Sequence, residues 1–403
     1  MPNESPWVAG RRWHVPMRSR EATEQYRAAT PLELLFDLTF VVAIALLAAE
    51  LAHSVVEDHA GEGLVGYLMV FFAIWWAWMN FTWFASAYDT DDVVYRLLTM
   101  VQMFGVLVLA AGVPAAFASQ DFAVATLGYV IMRLAMLTQW LRAAGGDPDH
   151  RRTCVRYAVG TAIVQVGWIL RLLLVAPWGF IGFLVLAAAE LFVPWWAERN
   201  EGTTWHPRHI AERYGLFTII VLGECVLSAT TAVQVALTEA GGSVDLVVLG
   251  VGSLVLLFSL WWFYFLKAAG AGLEQRRELA FLWGYGHYAI FAALAALGAG
   301  LEVAGEAMAH HIAAPTMLVA YFVAAPVAIV LVLVWGLHVV LAPRRRSHGV
   351  AVLLAALATL GVAAASGVGL PLSWVVLLSC VPVATLVAIG VADQHRKASL
   401  AQL

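Results

Sequence analysis

Long apolar runs alternate with short polar connections along almost the whole chain. About twelve runs are long enough to cross a bilayer, at approximately 32–53, 64–86, 94–117, 121–142, 153–176, 178–197, 210–236, 244–268, 277–300, 314–341, 349–366 and 370–391. A helix rises about 1.5 Å per residue, so about 20 apolar residues cover a hydrocarbon layer of roughly 30 Å. Backbone N–H and C=O groups in that layer must be satisfied within the segment, which selects helix for each run. The expectation is an all-α, polytopic transmembrane helix bundle. A polar N-terminal segment occupies 1–31, the membrane domain 32–391 and a polar tail 392–403. No connection is long enough to hold a soluble domain, so any chemistry takes place in the membrane or at its surfaces.

Charge orients the bundle. Arg11, Arg12, Arg18, Arg20 and Arg27 precede the first run, and Arg396 and Lys397 follow the last. The even-numbered connections carry Arg96, then Arg142, Arg151, Arg152 and Arg156, then Arg199 and Arg208, then Lys267, Arg276 and Arg277, then Arg344, Arg345 and Arg346. The odd-numbered connections carry acids: Glu57, Asp58, Glu62, Asp121, Glu239, Asp245, Glu302 and Glu306. Basic residues collect on the cytoplasmic side. The alternation therefore predicts an inner (plasma) membrane protein with both termini cytoplasmic. Residues 1–31 lack the apolar core and cleavage site of a signal peptide.

Composition removes whole classes of function. Of 403 residues, 62% are hydrophobic and only 12% charged, and mean hydropathy is +0.81. A soluble domain carries about 25% charged residues, so neither a soluble enzyme nor a disordered chain fits. Cys154, Cys225 and Cys380 are far apart with no CxxC pair, and they read as small apolar residues. No metal site, cofactor or nucleic-acid partner is expected. The expected partners are the lipid bilayer and a small ion or solute, and oligomers are left open.

The order of features suggests two parallel six-helix halves, 32–197 and 210–391. Thr39 follows Glu33 by six residues, as Thr218 follows Glu212; Trp75-Trp76 in the second run matches Trp261-Trp262 in the eighth. Arg133 has no counterpart in the second half. Parallel repeats occur in transporters, with sites near the repeat interface.

Charges inside the runs cost from about 2.5 kcal/mol upward at mid-bilayer, so they pair or line a cavity. Glu33 and Asp37 are four residues apart, which places both carboxylates on one helical face. They fit a cation or proton site, or one of them a structural ion pair. Arg133 near mid-span needs a carboxylate partner, with Asp37, Glu190 and Glu224 as candidates, and fits either a structural ion pair or an anion-binding or gating role. The seventh run opens with His209, Glu212 and Arg213. Glu224 follows Arg213 by eleven residues, nearly on the same face, and is the strongest ion- or proton-site candidate. Gly215 and Gly223 would admit a close neighbouring helix. His287 suits proton relay, or is a hydrogen-bonded core histidine with Asn80, Gln102, Gln165 or Thr218 nearby. Asp89, Asp91 and Asp92 form an acidic cluster before the third run, with Arg96 at i+4 from Asp92. Helix capping with an ion pair and a cation vestibule both fit it.

Phosphate-loop, HExxH and nucleophile-elbow motifs are absent from the sequence. Three stretches do carry a resemblance. They are Pro31 to Val41 (PLELLFDLTFV), Trp75-Trp76-Ala77-Trp78 continuing to Asp89-Thr90-Asp91-Asp92-Val93-Val94-Tyr95-Arg96, and His209 to Glu224 (HIAERYGLFTIIVLGE). On these the chain resembles the bacterial low temperature requirement A family of integral membrane proteins, from about residue 30 to about 390. The resemblance implies a polytopic bacterial inner-membrane protein; the family's name records a cold-growth trait. Members often have Ser where this chain has Cys225. A weaker likeness links Phe36-Asp37-Leu38-Thr39-Phe40 to the first helix of a family of six-helix-repeat potassium channels. Three function classes follow: a transporter or channel for a small ion or solute, coupled to protons; a non-catalytic membrane scaffold or cold-adaptation factor; and a membrane-embedded enzyme acting on a lipid or quinone.

Overall fold

The computed structural model describes residues 13–20, 24, 27–240, 243–309, 312–341 and 346–400. Arg11, Arg12, Arg344 and Arg345, and the side chains of Glu239 and Arg346, lie outside the described residues. Among the described residues the fold is all-helical, with twelve helices long and apolar enough to cross a membrane. They are α1 (Pro31–Val56), α2 (Ala60–Tyr88), α3 (Val93–Ala111, continued by Val113–Ala118), α4 (Ala123–Gly146), α5 (Arg151–Arg171), α6 (Trp178–Glu198), α7 (Pro207–Ala240), α8 (Val244–Phe265), α9 (Ala280–Ala309), α10 (Thr316–Leu341), α11 (Arg346–Ala364) and α12 (Leu372–Leu400).

Most ends agree with the hydropathy pattern within a few residues, and two differences have physical causes. The third run breaks at Gly112, where Pro114 follows in the first turn of the next piece. Proline is tolerated there because the first N–H groups of a helix have no partner to lose. The fifth run was expected to reach 176, but α5 ends at Arg171. Leu172 to Val175 remain apolar outside the helix, and Pro177 precedes the start of α6. Arg171 therefore sits at an end bearing odd-numbered connections, where no basic residue was expected.

The helices group into two compact units, residues 1–47 with 69–213, and residues 48–68 with 214–403. In the first unit α3 packs on α4, α4 on α5 and α5 on α6. Gly105 and Gly128 bring α3 and α4 together: a Cβ on Gly128 would lie 2.2 Å from the Leu109 nitrogen. Such small-residue contacts replace the hydrophobic effect as the source of helix association in lipid. In the second unit α8 packs on α12, α9 on α10, and α11 on both α10 and α12.

The end of the first unit that bears the even-numbered connections is covered by the chain before α1. Val15 N–H donates to Asp92 (2.7 Å), Ser19 N–H to Asp147 (3.2 Å), and Ala29 N–H to Glu212 (3.4 Å). Arg20 N–H donates to the Ala87 carbonyl (3.0 Å). The described part of the N-terminal segment is thus tied to the bundle. It leads into a capping box at α1: Thr30 Oγ1 accepts from Glu33 N–H (3.2 Å) while Glu33 accepts from Thr30 N–H (2.8 Å), with Pro31 at the first helical position.

Candidate functional site

α1 and α7 bring the strongest sequence candidates of the first unit together. Glu33 and Asp37 do share one face of α1, and the cation between them is Arg213. Its Nε donates to Asp37 Oδ2 (3.0 Å) and its Nη2 to Asp37 Oδ1 (2.5 Å). Nη1 lies 2.9 Å from Glu33 Oε1, off the hydrogen-bond direction, so that contact is charge pairing alone. All three side chains are buried. Trp78 on α2 donates to Asp37 (2.7 Å), and Thr82 accepts from Arg213 (3.4 Å). Glu33 also meets Arg27 (3.3 Å) and His209 Nε2 (3.2 Å). Arg27 in turn donates to the Ser86 carbonyl (2.5 Å) and reaches Asp89 (3.4 Å). The paired guanidiniums, Arg27 and Arg213, thus face three carboxyls, Glu33, Asp37 and Asp89. Asp89, just outside α2, registers the imbalance: burial and the nearby Glu33 charge push its carboxyl up to about 6, against the opposing pull of Arg27.

Of the three acids weighed as partners for Arg133, Glu190 is the one it pairs with. This carboxylate also accepts from Trp76 Nε1 (2.8 Å), Tyr129 OH (2.9 Å) and Trp168 Nε1 (3.2 Å). Four donors from α2, α4 and α5 converge on one buried acid of α6. Such convergence is what a charge needs inside a membrane.

The acidic cluster divides its work. Asp92 is the N-cap of α3, accepting from Tyr95 N–H (2.7 Å), and its ion pair is with Arg142 (2.6 Å). Arg96 pairs with Asp91 (2.7 Å), not with Asp92 as the i+4 spacing suggested. The reason is that Asp92 precedes the helix, so the i+4 rule for helical faces does not apply to it.

In the second unit Glu224 is buried at mid-span on α7, and among the described residues no hydrogen bond or ion pair engages it. Glu302 on α9 lies within electrostatic reach of it, and Glu306 follows one turn further along α9. Close packing brings α7 and α9 together here: a Cβ on Gly305 would lie 2.3 Å from Ala232 Cβ, and one on Gly298 3.4 Å from Cys225 Sγ. Of the glycines expected to admit a neighbour, Gly215 does so, since a Cβ there would lie 3.1 Å from the Phe265 ring, whereas a Cβ on Gly223 would meet nothing within 4 Å. Gly223 is exposed, on the opposite side of α7 from its packed face. Cys225 donates to the Leu294 carbonyl (3.1 Å), so the thiol serves as an ordinary core donor.

His287 is a satisfied core histidine. Nε2 meets Tyr264 OH (3.0 Å), Nδ1 meets the Trp283 carbonyl (2.8 Å), and the rings of Tyr214, Trp283 and Phe291 surround it. Asn80, Gln102 and Gln165 belong to the first unit, and Thr218 donates to the Tyr214 carbonyl. Sequence reasoning missed Trp76, Trp78, Tyr129 and Trp168 as carboxylate donors, Arg27 as a network member, and Arg171.

The comparisons with known proteins agree with this architecture. The family model of the bacterial low temperature requirement A protein matches residues 28–388. An uncharacterized protein of Rhizobium meliloti (strain 1021) is 29% identical over 300 residues, covering 69% of each chain. The matched region takes in all the carboxylates described above, from Glu33 to Glu306, and the chain belongs to the bacterial low temperature requirement A family.

Proposed function

We propose that this multi-pass membrane protein is a proton-coupled transporter or channel for a small ion or solute, and that Glu224 is its loading site. One observation carries the reading: Glu224 is buried in the middle of a span without a cation or hydrogen-bond partner among the described residues. Glu33, Asp37 and Glu190 are buried more deeply still, and each has a guanidinium against it. A carboxylate in hydrocarbon without a counter-charge takes up a proton or a cation. Glu224 therefore changes charge state by binding something mobile, while the other three are neutralised by fixed charges. Glu302 and Glu306 continue from it along α9. That helix is the most enclosed of the spans, and both carboxyls are half-buried on it. The series leads toward the odd-numbered connections, which the loop charges assign to the outside.

The test uses purified protein in liposomes with an internal pH dye, under potassium, sodium and proton gradients imposed one at a time. A gradient-dependent pH change that is lost in Glu224→Gln is the expected result. Flux equal in wild type and Glu224→Gln would remove Glu224 from the path, and a folded wild-type protein silent under all three gradients would overturn ion transport.

A further inference from the structure

A cavity in the first unit takes no part in the Arg213 network or in the carboxyl series of α9. It lies toward the end bearing the odd-numbered connections, among α2, α3, α4, α5 and α6, and encloses about 40 Å³. One water needs roughly 10–15 Å³, so the space holds several non-hydrogen atoms. Its walls are apolar, formed by Val70, Ala73, Leu109 and the rings of Phe122, Trp168 and Phe183. Tyr129 also lines it, but Tyr129 OH and Trp168 Nε1 are already committed to Glu190. Apart from the Thr126 hydroxyl, the cavity therefore offers rings and methyl groups, and one cation.

That cation is Arg171. It lines the cavity at the last turn of α5 and is only 9% exposed. Its Nε donates to the Gly179 carbonyl (2.8 Å), and its guanidinium lies 4.8 Å from the Phe122 ring and 5.6 Å from the Phe183 ring. These contacts orient the fork. No acceptor among the described residues engages its two Nη atoms, and no carboxylate pairs with it. Asp121, beside Phe122 in the chain, is turned onto the Ala123 N–H (2.8 Å). Arg27, Arg133 and Arg213 by contrast all have carboxylates. A buried guanidinium without a counter-charge is costly, and its planar fork matches two oxygens of a phosphate. Beyond Arg171 the chain runs onto a strongly apolar surface: Leu173 is 80%, Val175 75% and Trp178 61% exposed.

We propose that this cavity is a binding site for one anionic phospholipid, its phosphate on the Arg171 Nη atoms and one acyl chain against the aromatic wall. A basic residue at an otherwise acidic end, an apolar cavity beside it and a lipid-facing surface leading away from it match the three parts of that molecule. The site is independent of Glu224, and its test does not require flux.

Native mass spectrometry of the full chain in detergent reads the binding directly, with dioleoylphosphatidylglycerol, the uncharged diacylglycerol of the same chains, and inorganic phosphate as probes. Wild type should hold one phosphatidylglycerol, bind the diacylglycerol at least about tenfold more weakly, and retain no inorganic phosphate. Arg171→Gln removes charge-assisted hydrogen bonds and should weaken phosphatidylglycerol about 10- to 100-fold. Ala73→Phe fills the cavity, leaves Arg171 in place and should lose the lipid as well. Equal retention of both lipids by wild type overturns the proposal without recourse to any variant. Phosphatidylglycerol held at wild-type strength by both variants, or inorganic phosphate held as tightly as the lipid, overturns it too.

Discussion

Replacing Arg213 by Gln tests the central network most directly. The substitution removes the Nε and Nη2 bonds to Asp37, at 3.0 and 2.5 Å, and the charge that faces Glu33 at 2.9 Å. The two acids are left in different positions. Glu33 keeps Arg27, His209 and the Thr30 N–H, whereas Asp37 keeps only the Trp78 indole among the described residues. Most of the cost therefore falls on Asp37. Breaking a buried pair by removing one partner costs about 3–5 kcal/mol, because the remaining charge is stranded. Adding Asp37→Asn removes the stranded charge, and should recover about 2–3 kcal/mol as coupling energy. Arg213→Lys should fall between, since one ammonium cannot span both carboxylates as the planar fork does. Reversible unfolding in mixed micelles, followed by tryptophan fluorescence, measures all four proteins. If Arg213→Gln stays within about 0.5 kcal/mol of wild type, or if the double variant is no more stable than the single, the network is not a compensated ion cluster.

The same unfolding assay checks three further expectations. Asp89 binds its proton more tightly folded, at about 6, than unfolded, near 3.9. The Asp89 contribution to stability, read as the difference between wild type and Asp89→Asn, should therefore be greatest below about pH 4, fall by roughly 2–3 kcal/mol up to about pH 6 and level off above; a difference that does not change with pH would refute the charge balance drawn around Arg27. Glu190→Gln should cost about 3–5 kcal/mol by stranding Arg133, and Arg133→Met should restore much of it; a double variant no better than the single would count against the pairing. Gly305→Ala places a Cβ 2.3 Å from Ala232 Cβ and should cost about 1–3 kcal/mol by forcing α7 and α9 apart, whereas Gly223→Ala, with nothing within 4 Å, should be nearly silent.

What the sequence discloses here follows from which interactions are local. Twelve spans are legible because each satisfies its own backbone and shows its length as hydropathy. The shared face of Glu33 and Asp37 is legible for the same reason, since i and i+4 is a property of one helix. The identity of the cation between them is not, because the adjacency of α1 and α7 is tertiary. Arg213 in the sequence points along α7 toward Glu224, yet its partners are on α1. Arg171 was hidden differently: Leu172 to Val175 keep the hydropathy high past the last helical residue, so a window cannot see where α5 stops. The indole and phenol donors around Glu190 were invisible because Trp and Tyr in a membrane protein suggest interfaces before they suggest hydrogen bonds.

The buried carboxyls sort by what neutralises them, and the sorting bears on function. Glu33, Asp37 and Glu190 have guanidiniums on neighbouring segments, so their charge is a fixed element of the fold. Substituting them alters stability, and the coupling measured in double variants should account for most of the loss. Glu224 has no such cation among the described residues, and the neighbour within electrostatic reach of it is another acid, Glu302. A structural role would be served better by Gln at 224, which forms hydrogen bonds without ionising. Glu224→Gln should therefore leave unfolding stability unchanged or raise it, while the Arg213 and Glu190 variants lower it. Opposite signs in one assay would separate the carboxylates that hold the bundle together from the one free to bind and release an ion.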